Sequence, residues 1–166
     1  GDTYNVSIGQ GGVKVTPLQM TLLTAAIANG GKLYQPYIFD GMFAGNDAVE
    51  NKHEPKLFRE GMIESHHLAE VVKGMRQTVT EGTAKLLQNV PVPMAAKTGT
   101  AQAGSGIPHA WVTTFGPFDS PELVAVTMVE HAGEGSTVAV PITNEILQWY
   151  FAKNQKTNLN LDYSNL

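Results

Sequence analysis

The stretch that decides the fold is residues 94–130, MAAKTGTAQAGSGIPHAWVTTFGPFDSPELVAVTMVE. It contains three runs able to form strands, Met94 to Ala101, His109 to Phe115 and Glu122 to Glu130. Gly-, Ser- and Pro-containing segments separate them, and such residues are typical of turns. Because the connections are short, neighbouring runs should pair antiparallel. The sequence therefore predicts a three-stranded antiparallel meander.

Upstream, Thr16-Pro17-Leu18-Gln19 has the pattern of a helix start. The Thr16 hydroxyl can accept from an early backbone NH, Gln19 can reach back to Thr16, and proline suits the first helical position. We predict a helix from about Pro17 to Ala28 that ends at Asn29-Gly30-Gly31. Its side chains are nearly all apolar, so we expect it to be buried on most sides.

A second helix is predicted after Ser65, which we take as its N-cap. Its apolar residues recur at helical spacing and Gly82 can end it; they are Leu68, Val71, Val72, Met75 and Val79. A short helical turn should follow near Ala84 to Gln88, whereas Lys32 to Met62 is irregular and predicts short strands joined by loops.

A closing helix is predicted from Val138 to Ala152. Its expected core face carries Ile142, Ile146, Leu147 and Tyr150. The Asn-rich residues 153–166 should form a frayed tail. Together with the strands, these helices predict an α+β fold in a single domain.

Composition excludes several classes of function. The chain has 166 residues, 42% of them hydrophobic, which suffices for one domain with a core. Its net charge is -4, so it lacks the basic surface that nucleic-acid binding needs. It has no cysteine, which removes thiolate nucleophiles and cysteine metal sites. Neither a leader nor a membrane span is predicted within it.

The residues best suited to catalysis and ligand binding are Lys97-Thr98-Gly99-Thr100, on the first predicted strand. Lys97 offers a fixed cation that can hold an anion or stabilise a deprotonated catalytic group. Thr98 and Thr100 can donate to a substrate carboxylate, while Gly99 permits close approach to the backbone. At a sheet edge, the unpaired NH and C=O groups could also bind an extended peptide as one more strand.

Here the sequence resembles the penicillin-binding proteins, and more closely the class B (monofunctional) D,D-transpeptidases. Six stretches carry the resemblance in the expected order: residues 7–11 (SIGQG) with 15–19 (VTPLQ), 27–31 (IANGG), 72–75 (VKGM) with 81–84 (EGTA), 97–102 (KTGTAQ), 109–111 (HAW) and 140–142 (VPI). The resemblance implies that the chain is the C-terminal portion of the fold shared by transpeptidases and serine β-lactamases.

The same resemblance implies the roles of the site residues. Lys97 and Thr100 would be catalytic, Lys97 supporting the hydrogen-bond network and the Thr100 backbone NH forming one arm of the oxyanion hole. The substrate-binding residues would be Thr98, Gly99, Thr100, Ala101, Gln102, His109 and Trp111. For His109 and Trp111, packing at the strand rim is the alternative to ligand contact. Neither a metal nor a cofactor is implied.

The family's nucleophile is missing from this sequence. The family uses the serine of Ser-x-x-Lys and a second element, Ser-x-Asn. The serines here are Ser7, Ser65, Ser105, Ser120, Ser136 and Ser164, and none has lysine three residues on or asparagine two residues on. We expect both elements upstream of Gly1, in the remainder of the same domain, so the isolated chain should be inactive.

The expected partners are therefore that remainder, the D-Ala-D-Ala stem peptide of peptidoglycan, and β-lactams. The intact enzyme would act at the extracytoplasmic face of the bacterial plasma membrane, with its anchor outside this chain. The alternatives are a β-lactam-sensing receptor domain, a serine β-lactamase fragment, and a catalytically inactive interaction fragment.

Histidine spacing raises one further alternative, a metal site. His66 and His67 lie close to Glu70 on one predicted helix, but no second cluster stands at ligand spacing. A solvated helix start is the favoured interpretation.

Overall fold

A computed structural model describes residues 1–39, 41–43, 49–50, 52–102, 104 and 106–159. The helices are α1 (Asp2–Ser7), α2 (Pro17–Ala28), α3 (Ser65–Thr80) and α4 (Val140–Leu159). The strands are β1 (Leu33–Tyr34), β2 (Met42–Phe43), β3 (Val49–Glu50), β4 (Leu57–Arg59), β5 (Ala95–Ala101), β6 (His109–Gly116) and β7 (Leu123–Val129). The predicted mixture of helices with antiparallel strands is confirmed.

The main sheet has the strand order β5-β6-β7, with both pairs antiparallel. The predicted meander is confirmed, and each observed strand lies within one residue of its predicted bounds. One side of the sheet packs on a core that includes Val112, Leu147 and Phe151, and the other packs on Met75 and neighbouring side chains. The sheet is thus the layer between α4 and α2, while α3 packs beside β5 and contributes to both cores through Val79 and Met75.

Helix α2 begins as predicted. The Gln19 backbone NH donates to Thr16 Oγ1 at 3.2 Å, and the Thr16 NH donates to Gln19 Oε1 at 2.8 Å, which completes a capping box. Gly30 and Gly31 have φ of 82° and 97°, so the helix stops where a left-handed backbone is needed.

The predicted burial of α2 is wrong. Within it only Thr24 and Ala26 are buried, while Leu18 and Leu23 are exposed by 56% and 46%. The helix is apolar on all sides, but the described chain packs mainly against the side that faces β6 and β7. Leu18 and Leu23 lie on parts of the helix that these strands do not cover.

Helix α3 follows its predicted pattern with one correction. Its N-cap is Glu64 rather than Ser65, and Glu64 makes no side-chain capping bond. Ser65 already has helical geometry and occupies the first turn. At the other end the helix stops at Thr80, and a 3-10 helix at Lys85–Asn89 confirms the predicted helical turn.

Helix α4 departs from its prediction in length and in orientation. A π-helical turn at Gly135–Ala139 precedes it, and it continues to Leu159, beyond the predicted end at Ala152. Residues 160–166, in the tail expected to fray, lie outside the described residues. The predicted core face is wrong for Ile142 and Ile146, which are exposed, and confirmed for Leu147, which is fully buried, and for Tyr150, which packs against the core.

The predicted short strands of Lys32 to Met62 are confirmed by two small antiparallel pairs, β1 with β4 and β2 with β3. None of the helices in the described part of the chain is both long enough and apolar enough to cross a membrane.

Candidate active site

Strand β5 carries the predicted site along the edge of the main sheet. Its inner side pairs with β6, and no other described strand pairs with its outer side. In this register Lys97 lies opposite Thr113, Gly99 opposite Trp111, and Ala101 opposite His109. An edge strand has unpaired backbone groups, so the outer side of β5 can accept an extended ligand.

Side chains alternate along β5 and divide the predicted residues between two faces. Lys97, Gly99 and Ala101 share the face of Trp111 and His109, while Thr98 and Thr100 lie on the other face. Lys97 and Thr100 are exposed, and Thr98 and Gly99 are half-buried. The structure thus brings the predicted residues together on one strand, with the cation and the hydroxyls on opposite faces.

The Lys97 ammonium bonds to its own strand. Its Nζ donates to the Thr98 carbonyl oxygen at 2.6 Å. Ion pairs join His66 with Glu64 and Lys73 with Glu70, and Lys97 pairs with no described carboxylate. Its positive charge is therefore available to an anionic ligand.

The two site threonines differ in their surroundings. Thr98 Oγ1 shares a hydrogen bond with Thr83 Oγ1 at 2.6 Å. The Thr100 hydroxyl makes no hydrogen bond among the described residues, but its backbone carbonyl accepts from Gln10 Nε2 at 3.0 Å. The Gln10 amide therefore lies against the outer edge of β5.

Gly135 packs directly behind the site. A Cβ built there would overlap the Trp111 carbonyl oxygen and would lie 2.5 Å from the Gly99 carbonyl oxygen. Neither contact is tolerable for a real side chain, so only glycine fits. The turn before α4 thereby supports the backbone of both β5 and β6 at the level of Gly99.

His109 has a structural partner. Its Nδ1 accepts from the His131 backbone NH at 3.0 Å, and the two rings meet edge to face with centroids 4.7 Å apart. In the neutral tautomer that fits this bond, the His109 proton is on Nε2. His131 has a φ of 50°, the one positive φ of a non-glycine residue in the described chain.

Trp111 and Ala101 are half-buried and Gln102 is exposed just after β5 ends. A Cβ at position 99 would lie 3.4 Å from Trp111 Cβ, so Gly99 leaves only ordinary contact space beside the indole. These residues form the rim of the strand, which is compatible with either packing or ligand contact.

The histidine pair at the start of α3 lies away from this site. Glu64, His66 and His67 are exposed, and their candidate ligand atoms lie within 4.8 Å of one another. His66 Nδ1 is 3.3 Å from Glu64 Oε2, whereas Glu70 faces Lys73. That this cluster is a solvated helix start stays a prediction.

An apolar cavity of about 260 Å³ also lies away from β5. It lies between α2, β1 and the start of α3, with Leu22, Leu23, Ile27, Leu33 and Leu68 in its lining.

Comparison with known proteins gives the family. A family model described as the penicillin binding protein transpeptidase domain matches residues 1–148. The chain belongs to this family. Peptidoglycan D,D-transpeptidase MrdA of Haemophilus influenzae is 31% identical over 169 residues, covering 90% of this chain and 26% of that protein. Peptidoglycan D,D-transpeptidase PbpA of Mycobacterium tuberculosis is 30% identical over 152 residues, covering 86% and 30%.

Solved structures of penicillin-binding transpeptidases agree. A chain from a peptidoglycan synthase complex that coordinates polymerization and crosslinking has a TM-score of 0.76 and 35% identity, covering 90% of this chain and 26% of that one. Penicillin-binding protein A from M. tuberculosis, as a penicillin G acyl-enzyme complex, has a TM-score of 0.69 and 26% identity, covering 86% and 34%. The chain thus spans less than a third of the curated relatives described above.

Sequence reasoning missed two contacts of strand β5. Gln10 and Thr83 both touch β5, yet neither was a candidate site residue. Both stand in stretches that carry the family resemblance, SIGQG and EGTA. The resemblance marks both stretches, but no pattern in the sequence predicts which strand these two side chains contact.

Proposed function

We propose that this chain forms the substrate-holding wall of a peptidoglycan D,D-transpeptidase, a penicillin-binding enzyme that cross-links the cell wall. The observation that supports it is the position of Lys97-Thr98-Gly99-Thr100 on a sheet edge to which no other described strand pairs. Such an edge offers backbone hydrogen bonds, two hydroxyls and a cation to one extended, anionic peptide.

Each residue has a role in this proposal. Lys97 stabilises the ionised groups of the catalytic hydrogen-bond network, and the hydroxyls of Thr98 and Thr100 hold the terminal carboxylate of the stem peptide. The Thr100 backbone NH stabilises the tetrahedral oxyanion. Four further residues line the ligand site on either side of the strand end: Ala101, Gln102, His109 and Trp111.

The reaction has two steps. A serine attacks the carbonyl between the two D-Ala residues, forming an acyl-enzyme and releasing the terminal D-Ala. An amine of a neighbouring stem peptide then attacks the ester and takes the acyl group, which frees the serine. A β-lactam stops the cycle after the first step. Neither a metal nor a cofactor takes part in this scheme.

The nucleophile comes from residues outside this chain, because no serine of residues 1–166 stands in Ser-x-x-Lys or Ser-x-Asn. Those residues, in the remainder of the same domain, would complete the cleft opposite β5. The whole enzyme acts at the extracytoplasmic face of the plasma membrane, in cell-shape maintenance or division, with its anchor outside this chain.

Labelled penicillin tests the proposal. The chain alone and the full-length protein that contains it are incubated with the label, and the adduct is located by mass spectrometry. We expect no adduct on the isolated chain and a stable one on a serine outside residues 1–166. Lys97→Ala should slow labelling by about 100-fold or more, as expected for loss of acid–base support.

Lys73→Ala is the matched control, since Lys73 is an exposed lysine paired with Glu70 on α3. It should label like the wild type. An adduct on the isolated chain would refute the external nucleophile, and an unlabelled full-length protein would refute the transpeptidase assignment. Rapid release of the label would favour a β-lactamase, and a stable penicillin adduct on a protein that does not transfer a D-Ala-D-Ala stem peptide to an amine would favour a sensor.

A further inference from the structure

The turn after α3 reaches the site strand through Thr83. Thr83 lies in the EGTA stretch, to which the proposed function assigns no role. Its hydroxyl oxygen is 2.6 Å from that of Thr98, the half-buried threonine on β5. The Thr83 side chain is itself exposed, so this contact is at the surface where a ligand of β5 would lie.

The backbone on both sides of Thr83 is fixed. The Gly82 NH donates to the Gln77 carbonyl at 3.0 Å, and the Ala84 NH donates to the Thr78 carbonyl at 3.0 Å. A Cβ at position 82 would lie 2.9 Å from Thr78 Cα, and Ala84 is fully buried in the core. The turn therefore holds the Thr83 hydroxyl at a defined place beside β5.

The direction of this hydrogen bond follows from the proposed role of Thr98, which is to donate a hydrogen bond to the ligand carboxylate. A hydroxyl has one proton to donate, and an ionised carboxylate can only accept. When Thr98 donates its proton to a ligand carboxylate, its own oxygen must accept the bond from Thr83. The donors then form a chain from Thr83 through Thr98 to the ligand, in which each bond strengthens the next.

We propose that Thr83 is a positioning residue for carboxylate recognition, orienting the Thr98 hydroxyl toward the ligand. The proposal rests on the proposed function. The proposal gives the two site threonines different roles, because the Thr100 hydroxyl has no such partner among the described residues. Thr98 is thus the preoriented donor, and Thr100 is free to rotate.

The test compares two ligands on the full-length protein: a labelled penicillin with its free carboxylate and the methyl ester of the same compound. Thr83→Val keeps the shape of the side chain and removes the hydroxyl. We expect it to slow acylation by the acid about three- to tenfold, the value of one net hydrogen bond. The loss should appear as a larger dissociation constant for the initial penicillin complex at an unchanged first-order acylation rate constant, because ligand binding is weakened.

Three comparisons isolate the positioning role. Thr83→Ser should restore the wild-type rate, since it restores the hydroxyl. The ester should react equally with wild type and Thr83→Val. In a Thr98→Val background, Thr83→Val should slow acylation by the acid little further, because the hydroxyl that Thr83 orients has been removed.

Contrary outcomes separate this inference from the proposed function. Equal losses for acid and ester, no rescue by serine, or fully additive losses with Thr98→Val would each mean that Thr83 only supports the fold. An unchanged acid rate in Thr83→Val would overturn the positioning role alone. If wild type reacts with neither ligand, the transpeptidase assignment fails, and the role of Thr83 falls with it.

Discussion

Gly135 packs closely against the backbone of the candidate site. The carbonyl oxygens of Gly99 and Trp111 lie where a side chain at position 135 would begin. Both atoms belong to paired strands, so neither can move without shifting the sheet. The position of the Gly99 backbone therefore depends on a residue that no ligand touches.

Gly135→Ala should lower the free energy of unfolding by about 1–3 kcal/mol, the usual cost of overpacking. Urea denaturation measures it. Gly74→Ala is the control: it lies within α3, and a Cβ there meets nothing within 4 Å. That change should stabilise by about 0.5–1 kcal/mol because alanine favours a helix. A Gly135→Ala variant as stable as wild type would show that the turn before α4 can relax away from the sheet.

The chemistry of the site residues could be predicted from the sequence, but their contacts could not. Lysine, threonine and glycine in one strand indicate a cation, hydroxyls and a close approach. The bonds from Gln10 to Thr100 and from Thr83 to Thr98 join residues far apart in the chain. Such bonds depend on where the segments that follow α1 and α3 lie relative to β5, and no local pattern carries that information.

The sequence pattern defines the ends of the three main strands better than it defines the buried face of helix α4. The bounds of β5, β6 and β7 are predictable because turn residues mark both ends of each run. In α4, apolar side chains occur on two sides: Val140, Leu147 and Phe151 are buried, whereas Ile142, Ile146 and Trp149 are exposed. Both sets have helical spacing, so the pattern allows two core faces. Packing against β7 and the preceding turn decides between them.

Leu147 and Ile146 test that choice because they are neighbours in sequence with opposite environments. Leu147→Ala should cost about 2–5 kcal/mol of unfolding free energy, as for a buried leucine. Ile146→Ala should change it by less than about 0.5 kcal/mol. Chemical denaturation of the two variants side by side gives both values. Equal costs would mean that the outer face of α4 is covered in solution.

At the scale of the whole described chain, two surfaces are only partly covered by other elements. Helix α2 exposes Leu18 and Leu23, and no described strand pairs with the outer edges of β5 and β7. The apolar composition of α2 predicted burial on most sides, whereas the described chain buries only Thr24 and Ala26. Both surfaces fit the proposal that the rest of the domain lies outside residues 1–166.

The meander of β5, β6 and β7 has a consequence for the order of folding. Each of its pairings closes only the short chain segment between consecutive strands, at small entropic cost, and such low contact order favours fast folding. By contrast, the bond between Thr24 and Thr113 joins α2 to β6 across most of the sequence. Pulsed hydrogen exchange during refolding should show β6 amides protected before those of α2, and simultaneous protection would contradict this order. The surface proposed to hold substrate would then be the first that the chain completes.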